Sequence, residues 1–228
     1  MELHYVYNFD WLNVPIIQFP QAIVAIQEAL WHDSPTVVIQ TGVARGGSLA
    51  LSASVLALLD YSDAVASGTP LDPRKSKRRT IGVDIDLRPQ SLEALEAHPL
   101  FEQIELIEGS SVGYQTVQQV RASLATDDRV TVILDSLHTH EHVLEELRIY
   151  SEFVSAGCHL IVLDTFIEEL PQSFFGERPW DVGNNPMTAL EEWLGSDTSF
   201  ELDDSLNVKF QISSARGGFL IKRVDPSL

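Results

Sequence analysis

Short runs of apolar, β-branched residues alternate along this chain with segments whose apolar residues recur at helical spacing. The strand-like runs lie at residues 36–41, 80–84, 104–107, 129–135 and 159–164. The helical spacing is found at residues 20–31, 46–59, 89–97, 112–124 and 140–154. Such alternation predicts parallel strands joined by crossover helices, which is an α/β fold with helices on both faces of the sheet.

The pattern loosens after residue 164. Residues 166–186 are rich in Pro, Gly, Asn and aromatic side chains. A loop of that length inside a domain is typically functional, and we predict a substrate lid. A helix at 187–194 and a strand pair at 200–202 and 218–224 are predicted to complete the fold.

Two further segments complete the predicted organisation of residues 1–228 as a single domain. Residues 60–77 carry Ser, Gly, Pro and charged residues and are predicted to form a loop. Residues 1–34 are predicted to form a helical cover over the sheet.

Composition narrows the class of protein. The chain has 228 residues, 44% of them hydrophobic and 21% charged, and a formal net charge of −18. This acidity disfavours a nucleic-acid partner, because the phosphate backbone would be repelled. The basic cluster at residues 74–79 is predicted to be a solvated loop, with a contact to an anionic lipid or partner as the alternative.

Targeting signals are not apparent in the sequence. No run of about 18 apolar residues predicts a membrane span, and the first residues lack the basic and apolar regions of a secretory signal. The single cysteine, Cys158, cannot form an internal disulfide and lies in an apolar stretch. We therefore expect a cytoplasmic protein.

A glycine-rich turn follows the strand at 36–41. It places Gly42, Gly46 and Gly47 in the pattern G-x-x-x-G-G, whereas a dinucleotide fingerprint reads G-x-G-x-x-G. This spacing favours a loop that wraps the methionine part of S-adenosylmethionine (SAM) and disfavours an NAD(P)-linked oxidoreductase. Glycines permit close approach of a ligand, and the following helix offers free N–H groups.

Polar residues also end the next two strands. Asp84 is placed to accept hydrogen bonds from both ribose hydroxyls, whereas Asp86 is more typical of a cap or turn. Ser110 follows the third strand and can border the adenine. Capping of the helix that begins near Val112 is the alternative role of Ser110.

The strand ends at Asp135 and Asp164 carry the candidate chemistry. Adjacent parallel strands bring these carboxylates together, and two such charges repel unless a cation or a proton intervenes. Mg²⁺ is a natural cation for oxygen ligands. His138 follows Asp135 by three residues and can act as general base.

The histidine-rich segment at residues 138–142 also allows other interpretations. His140 and His142 can be solvent-facing helix residues. A zinc site lacks cysteine partners and a structural zinc spacing. The His-x-Asp or His-x-Glu pattern of iron oxygenases is absent.

At these residues the sequence resembles the cephalosporin hydroxylase family, which includes rhamnosyl O-methyltransferases. The resemblance extends from about residue 14 to residue 223. Its motifs lie at residues 14–20, 41–48, 82–86, 134–140, 164–165, 178–180 and 183–186. It implies a Rossmann-like class I SAM-dependent methyltransferase with a mostly parallel seven-stranded sheet whose last strand is antiparallel.

The resemblance also implies roles for individual residues. Asp135 and Asp164 would hold Mg²⁺ and His138 would be the base. The residues expected along SAM are Gln40, Gly42, Arg45, Gly46, Ser48, Asp84, Ser110 and Asp135. The residues expected near the acceptor are His140, Arg178, Trp180 and Asn185.

Two positions depart from the family pattern. Leu163 stands where related enzymes have an acid, so that Glu168 or Glu169 would have to supply a further ligand. Gln40 stands where many methyltransferases have an acid, and its amide cannot form an ion pair with the ammonium of SAM.

The leading hypothesis is a SAM-dependent O-methyltransferase that acts on a hydroxyl of a sugar or glycosylated metabolite. The alternative is a catalytically silent binding or scaffold protein that keeps the fold, and Leu163 and Gln40 favour it. A small-molecule or glycan acceptor is expected in the first case. A homo-oligomer is compatible with either hypothesis.

Overall fold

The computed structural model describes residues 5–210 and 212–224. Its strands are β1 Phe9–Trp11, β2 Val14–Ile16, β3 Val37–Thr41, β4 Arg79–Asp84, β5 Ile104–Glu108, β6 Val130–Leu134, β7 His159–Val162, β8 Phe200–Leu202 and β9 Phe219–Lys222. Strands β3 to β9 form one sheet in the order β5-β4-β3-β6-β7-β9-β8. Strands β3 to β7 pair in parallel, whereas β9 pairs antiparallel with both β7 and β8. The mostly parallel seven-stranded sheet is therefore confirmed.

Helices cover both faces of this sheet. They are α1 Pro20–Asp33, α2 Gly47–Ser67, α3 Pro89–Glu96, α4 Tyr114–Ala122, α5 His140–Tyr150, α6 Pro186–Leu194 and α7 Asp204–Lys209. Alternate residues of each strand point to opposite faces. In β6, Val132 and Leu134 pack with α4, α5 and α6, whereas Ile133 packs with α1 and α2. Burial on both faces explains why the strands read as continuous apolar runs.

A β-hairpin precedes α1 and was not predicted. β1 and β2 pair antiparallel, with Trp11 opposite Val14. The two turn residues, Leu12 and Asn13, both have positive φ, as a type I′ hairpin requires. The Trp11 indole donates to the Ser54 hydroxyl of α2 at 3.0 Å. The helix predicted at 20–31 is confirmed as α1. The prediction of a helical cover over residues 1–34 missed this hairpin, because strands of three residues leave too short a pattern, and residues 1–4 of that cover lie outside the described residues.

Helix α2 is longer than predicted. It continues to Ser67, through part of the segment that the sequence assigned to a loop, and ends at Gly68 in the left-handed conformation. Its two charged residues, Asp60 and Asp63, lie in its C-terminal half, where most positions are half-buried or exposed. Of the helices described, α2 alone has the length and hydropathy of a membrane span, and ten of its residues pack into the protein interior. Such burial is typical of a core helix.

The basic cluster at 74–79 is largely paired with acidic residues. Arg78 contacts Asp60 at 2.6 Å and Asp63 at 2.9 Å. Arg79 contacts Asp128 at 2.8 Å. The cluster therefore compensates local negative charge and ties the loop to α2 and to the start of β6.

The Arg79–Asp128 pair predicts how stability depends on pH. Burial alone would raise the pKa of Asp128, but hydrogen bonds from Arg79, Ala125 and Thr36 lower that pKa below 3.8. The stabilisation is therefore complete above the ordinary aspartate pKa and is lost as the pH falls below it. Urea unfolding between pH 3 and pH 6 should show a smaller loss of stability on acidification for Asp128→Asn than for the unchanged chain.

A matched control is Asp127→Asn. The Asp127 side chain is 71% exposed and pairs with an exposed Lys77, so that it contributes little. If Asp128→Asn lost as much stability between pH 6 and pH 3 as Asp127→Asn and the unchanged chain, the role assigned to the Arg79–Asp128 pair would be contradicted.

Candidate active site at the carboxyl ends of the strands

Asp135 and Asp164 lie together where β6 and β7 end. These strands pair in parallel, with Leu134 opposite Val162, so that the residues following them share one edge of the sheet. The carboxylates and the His138 ring each offer a ligand atom, and these atoms all lie within 4.8 Å of one another. The three residues that the sequence assigned to catalysis and metal binding are thus brought together.

The charges at this edge are poorly compensated. Burial, and then the negative charges of Asp164 and Glu146, raise the pKa of Asp135 well above its usual range. Burial also raises the pKa of Asp164, and the interaction with His138 offsets part of this rise. The Gln18 amide donates to Asp135 Oδ2 at 2.7 Å. Such a donor set favours a cation between the carboxylates.

Gln18 was not assigned a role from the sequence. Its side chain is polar and stands among apolar neighbours in the sequence, yet the residue is only 5% exposed. It lies just before α1, and only the packing of the N-terminal segment brings it to Asp135. A buried amide in an apolar stretch was the one available signal.

His138 is held between Asp164 and an aromatic side chain. Its Nε2 lies 3.1 Å from Asp164 Oδ2, and the Trp180 ring meets its ring edge-on at 4.8 Å between centroids. The Arg178 guanidinium lies over Trp180 at 5.3 Å. Asp164 itself has φ of 56°, a conformation that non-glycine residues rarely adopt outside functional sites and turns.

The two glutamates suggested as additional ligands have other partners. Glu168 accepts hydrogen bonds from the Gly183 main-chain nitrogen at 2.8 Å and from the Asn185 amide. Glu169 forms an ion pair with Arg216 at 2.6 Å. Leu163 is 1% exposed and packs in the core. Neither glutamate is among the ligand atoms that cluster with Asp135 and Asp164 in this structure.

The glycine-rich turn joins β3 to α2 and touches the Asp135 backbone. Gly42 has φ of +81°, and a Cβ at this position would overlap the main-chain oxygen of Asp135. Gln40 is fully buried, and its amide donates to Gly42 O at 2.8 Å and to Ser48 Oγ at 2.6 Å. Gln40 therefore braces the turn from within, and its Oε1 has no partner.

Asp84 holds the same turn from the neighbouring strand. Its Oδ2 accepts hydrogen bonds from the main-chain nitrogens of Val43 at 2.8 Å and Ala44 at 3.2 Å. Its Oδ1 accepts from Asp86 N at 3.1 Å. Arg45 is exposed on the turn. Of the residues that the sequence placed along the cofactor, the contacts at this turn join Gln40, Gly42 and Ser48, and Asp84 holds the turn at Val43 and Ala44.

The loop after β5 is attached to α5 by buried polar side chains. His142, Glu146 and Tyr150 recur every four residues and share one face of the helix. His142 Nε2 lies 3.0 Å from Ser111 Oγ and 3.1 Å from Ser136 Oγ. The interpretation of His142 as solvent-facing was wrong, since its side chain is 18% exposed.

Glu146 and Tyr150 complete this network. Ser136 Oγ donates to Glu146 Oε1 at 2.7 Å, and Glu146 Oε2 is buried without a hydrogen-bond partner. The Tyr150 hydroxyl donates to Ser111 O at 2.9 Å. Burial and the charge of Glu146 raise the pKa of Tyr150. The network links the loops after β5 and β6, and the sequence analysis missed it.

Three further predictions about this edge need correction. Both His140 ring nitrogens face α6, at 2.9 Å from Thr188 and 3.2 Å from Glu192, so that His140 is neither solvent-facing nor at the carboxylates. Asn185 is fully buried and caps α6 in a capping box, which gives it a structural role. Ser110 does not cap α4, whose N-cap is Gly113.

Comparisons with known proteins test the resemblance. The family model described as rhamnosyl O-methyltransferase/CmcI matches residues 3–223. The rhamnosyl O-methyltransferase of Mycobacterium leprae is 26% identical over 93% of this chain and 82% of its own length. The chain belongs to the rhamnosyl O-methyltransferase/CmcI family.

Solved structures of CmcI share the fold of this family member. An apo structure of CmcI matches with a TM-score of 0.65 and 18% identity, over 96% of this chain and 78% of its own. A CmcI structure described as Mg-SAM matches with a TM-score of 0.64 and 17% identity, over the same shares. The class I methyltransferase fold and the expectation of a SAM-dependent O-methyltransferase are confirmed at the level of the family.

The close approach of Gly42 to Asp135 predicts a severe effect of Gly42→Ala. Gly68 is a matched control, because it also has positive φ but nothing lies near its added Cβ. Both variants bear a left-handed strain of about 1–2 kcal/mol, whereas overlap at residue 42 should cost about 1–3 kcal/mol more. Urea unfolding measures the difference, and equal losses would contradict the assigned contact.

The polar network on α5 predicts that Glu146→Ala destabilises this family member. Loss of the hydrogen bond to Ser136 should cost about 1–3 kcal/mol. Glu145→Ala is the control, because the Glu145 side chain is 49% exposed and pairs with Arg148, and a change within about 0.5 kcal/mol is expected. Chemical unfolding of the unchanged chain, Glu146→Ala and Glu145→Ala measures both effects. Equal stability of the two variants would contradict the role assigned to the network.

Proposed function

We propose that this family member transfers a methyl group from SAM to a hydroxyl of a sugar or a glycosylated metabolite. The juxtaposition of Asp135, His138 and Asp164 at the sheet edge next to the glycine-rich turn carries the proposal. The family supplies the reaction type, since its model is described as rhamnosyl O-methyltransferase/CmcI. The acceptor class follows from the name of the mycobacterial relative.

Asp135 and Asp164 fit a divalent cation. Both are carboxylates, both have raised pKa values, and their ligand atoms are close enough to share one ion. Mg²⁺ prefers oxygen ligands and keeps several waters, which suits a site with two protein carboxylates. Bound there, Mg²⁺ would lower the pKa of an acceptor hydroxyl.

His138 is proposed to take up the hydroxyl proton. Its Nε2 lies 3.1 Å from Asp164 Oδ2, so that the imidazolium formed would be stabilised by the carboxylate. The edge-on Trp180 ring restricts the orientation of the imidazole. The resulting alkoxide is a better nucleophile toward the sulfonium methyl of SAM.

The cofactor is proposed to lie over the turn that follows β3. Gly42, Arg45, Gly46 and Ser48 border it, and Asp84 stands at the ribose end. Asp84 already accepts two hydrogen bonds from the turn, which fixes the carboxylate for the ribose hydroxyls. Ser110 and the Asp135 main chain are proposed to complete the adenosine side.

Residues 166–186 are proposed as a lid over the acceptor. Trp180 and Arg178 extend from this segment toward His138. The apolar face of an indole suits the C–H face of a sugar ring. A neutral acceptor fits a chain of net charge −18 better than a phosphorylated one.

We also propose a cytoplasmic location, which rests on a single observation about the cysteine. Cys158 is buried and free, as is usual for a protein in a reducing compartment.

The proposed function is tested first by calorimetric titration of S-adenosylhomocysteine into the purified chain, with and without Mg²⁺. Transfer of labelled methyl from SAM is then measured on a panel of glycosides that begins with rhamnosides. His138→Ala should lower the rate constant by about 100-fold or more, because a general base contributes at least that factor. His98→Ala is the histidine control and should transfer methyl at the unchanged rate.

Each result separates the two functional hypotheses. Binding of S-adenosylhomocysteine with turnover that depends on Mg²⁺ supports the enzyme. Turnover that is unchanged in excess chelator contradicts the cation assignment, and full activity of His138→Ala contradicts the base. Binding without turnover on every glycoside would favour the scaffold protein instead.

A further inference from the structure

A second group of metal-ligating side chains lies at the opposite edge of the sheet. His32 and Asp33 end α1, and His159 begins β7. The ligand atoms of these three residues lie within 4.8 Å of one another. Neither the proposed reaction nor the proposed cofactor site uses any of them.

Asp33 is the centre of the group. Its Oδ1 lies 2.6 Å from His159 Nδ1 and 3.1 Å from His32 Nδ1. Its Oδ2 accepts hydrogen bonds from the Thr131 hydroxyl at 2.6 Å and from the His159 main-chain nitrogen at 2.8 Å. One carboxylate oxygen is thus fixed by β6 and β7, while the other faces two imidazole nitrogens.

Asp203 supports His159 from the other side of the ring. His159 Nε2 lies 3.1 Å from Asp203 Oδ2. A histidine that ligates a metal usually donates its second ring nitrogen to a carboxylate in this way, which fixes the tautomer and leaves the first nitrogen free. The other oxygen of Asp203 caps α7, through the main-chain nitrogen of Ser205 at 2.8 Å, so that the support is rigid.

The charge balance favours a divalent ion over a proton alone. Asp33 and His159 are both essentially inaccessible to solvent. The His159 ring lies within hydrogen-bond distance of both Asp33 and Asp203, and a single proton on the ring would neutralise only one of these two carboxylates. A divalent ion would neutralise both. The nearby Arg129 donates to the Asp33 main-chain carbonyl at 2.6 Å and leaves the carboxylate to the histidines.

We propose that His32, Asp33 and His159 bind one zinc ion, with Asp203 as the outer carboxylate. Two imidazole nitrogens and one carboxylate oxygen are a ligand set that zinc accepts, with water in the fourth position. The His32 side chain is 63% exposed, which provides an entry path and a place for that water. The Sγ of the neighbouring Cys158 is not among the ligand atoms that cluster here.

Binding requires only a local adjustment. Ligand atoms about 2.0–2.2 Å from a tetrahedral zinc ion lie roughly 3.3 Å apart. The gap between His159 Nδ1 and Asp33 Oδ1 would therefore widen by less than about 1 Å, as the ion replaces the hydrogen bond. The ion would join α1 to β7 and, through Asp203, to α7.

The test is calorimetric titration of zinc chloride into the full chain after treatment with chelator and its removal. The Asp164→Asn background removes the carboxylate cluster at the other edge as a second site. We expect one zinc ion per chain in this background. His32→Ala should weaken binding at least tenfold, whereas His98→Ala, which changes a histidine remote from both clusters, should not.

Thermal unfolding with and without zinc gives a second measurement. Because His32 is largely exposed, His32→Ala should fold and melt like the unchanged chain in chelator. The unchanged chain should gain stability with zinc, and His32→Ala should gain much less. No zinc binding in the Asp164→Asn background, or equal affinity in His32→Ala, would overturn the proposal and leave a proton as the sole occupant.

Discussion

The parallel pairing of β6 between β3 and β7 is the constraint on which this structure depends. It aligns the ends of three strands at one edge, so that the glycine-rich turn, Asp135 and Asp164 meet there. The same alignment places two half-buried carboxylates side by side, and the pKa values of both are raised. Sheet geometry thus creates an electrostatic cost that a bound cation relieves.

Much of the fold could be predicted from the sequence because its strands are buried on both faces. Continuous apolar runs identified β3 to β7 to within one or two residues at each end. Short elements were missed for a physical reason. The β1–β2 hairpin depends on a two-residue turn, and α7 has six residues and an Asp203 cap, so that neither shows a periodic pattern.

The residues of the candidate site also fall into two groups, those that the sequence could place and those that it could not. Residues within two positions of a strand end, such as Asp135 and Asp164, could be placed because strand ends converge. Gln18 and Glu146 could not, since their role depends on packing between distant segments. His140 and Asn185 carried chemically suggestive side chains, yet both have structural partners. His140 of α5 faces Thr188 of α6, and Asn185 caps α6. Residue type alone does not reveal which partner a polar side chain meets.

The attachment of residues 181–185 by Glu168 has a thermodynamic consequence for ligand recognition. This turn is already folded by the Gly183 and Asn185 hydrogen bonds and by a bridge between Asp181 and Asn184. Ordering a loop on association would subtract from the binding free energy. Here that entropy is lost during folding. Residues next to Trp180 are thus preorganised, and recognition near this aromatic ring is expected to resemble docking onto a rigid surface more than coupled folding.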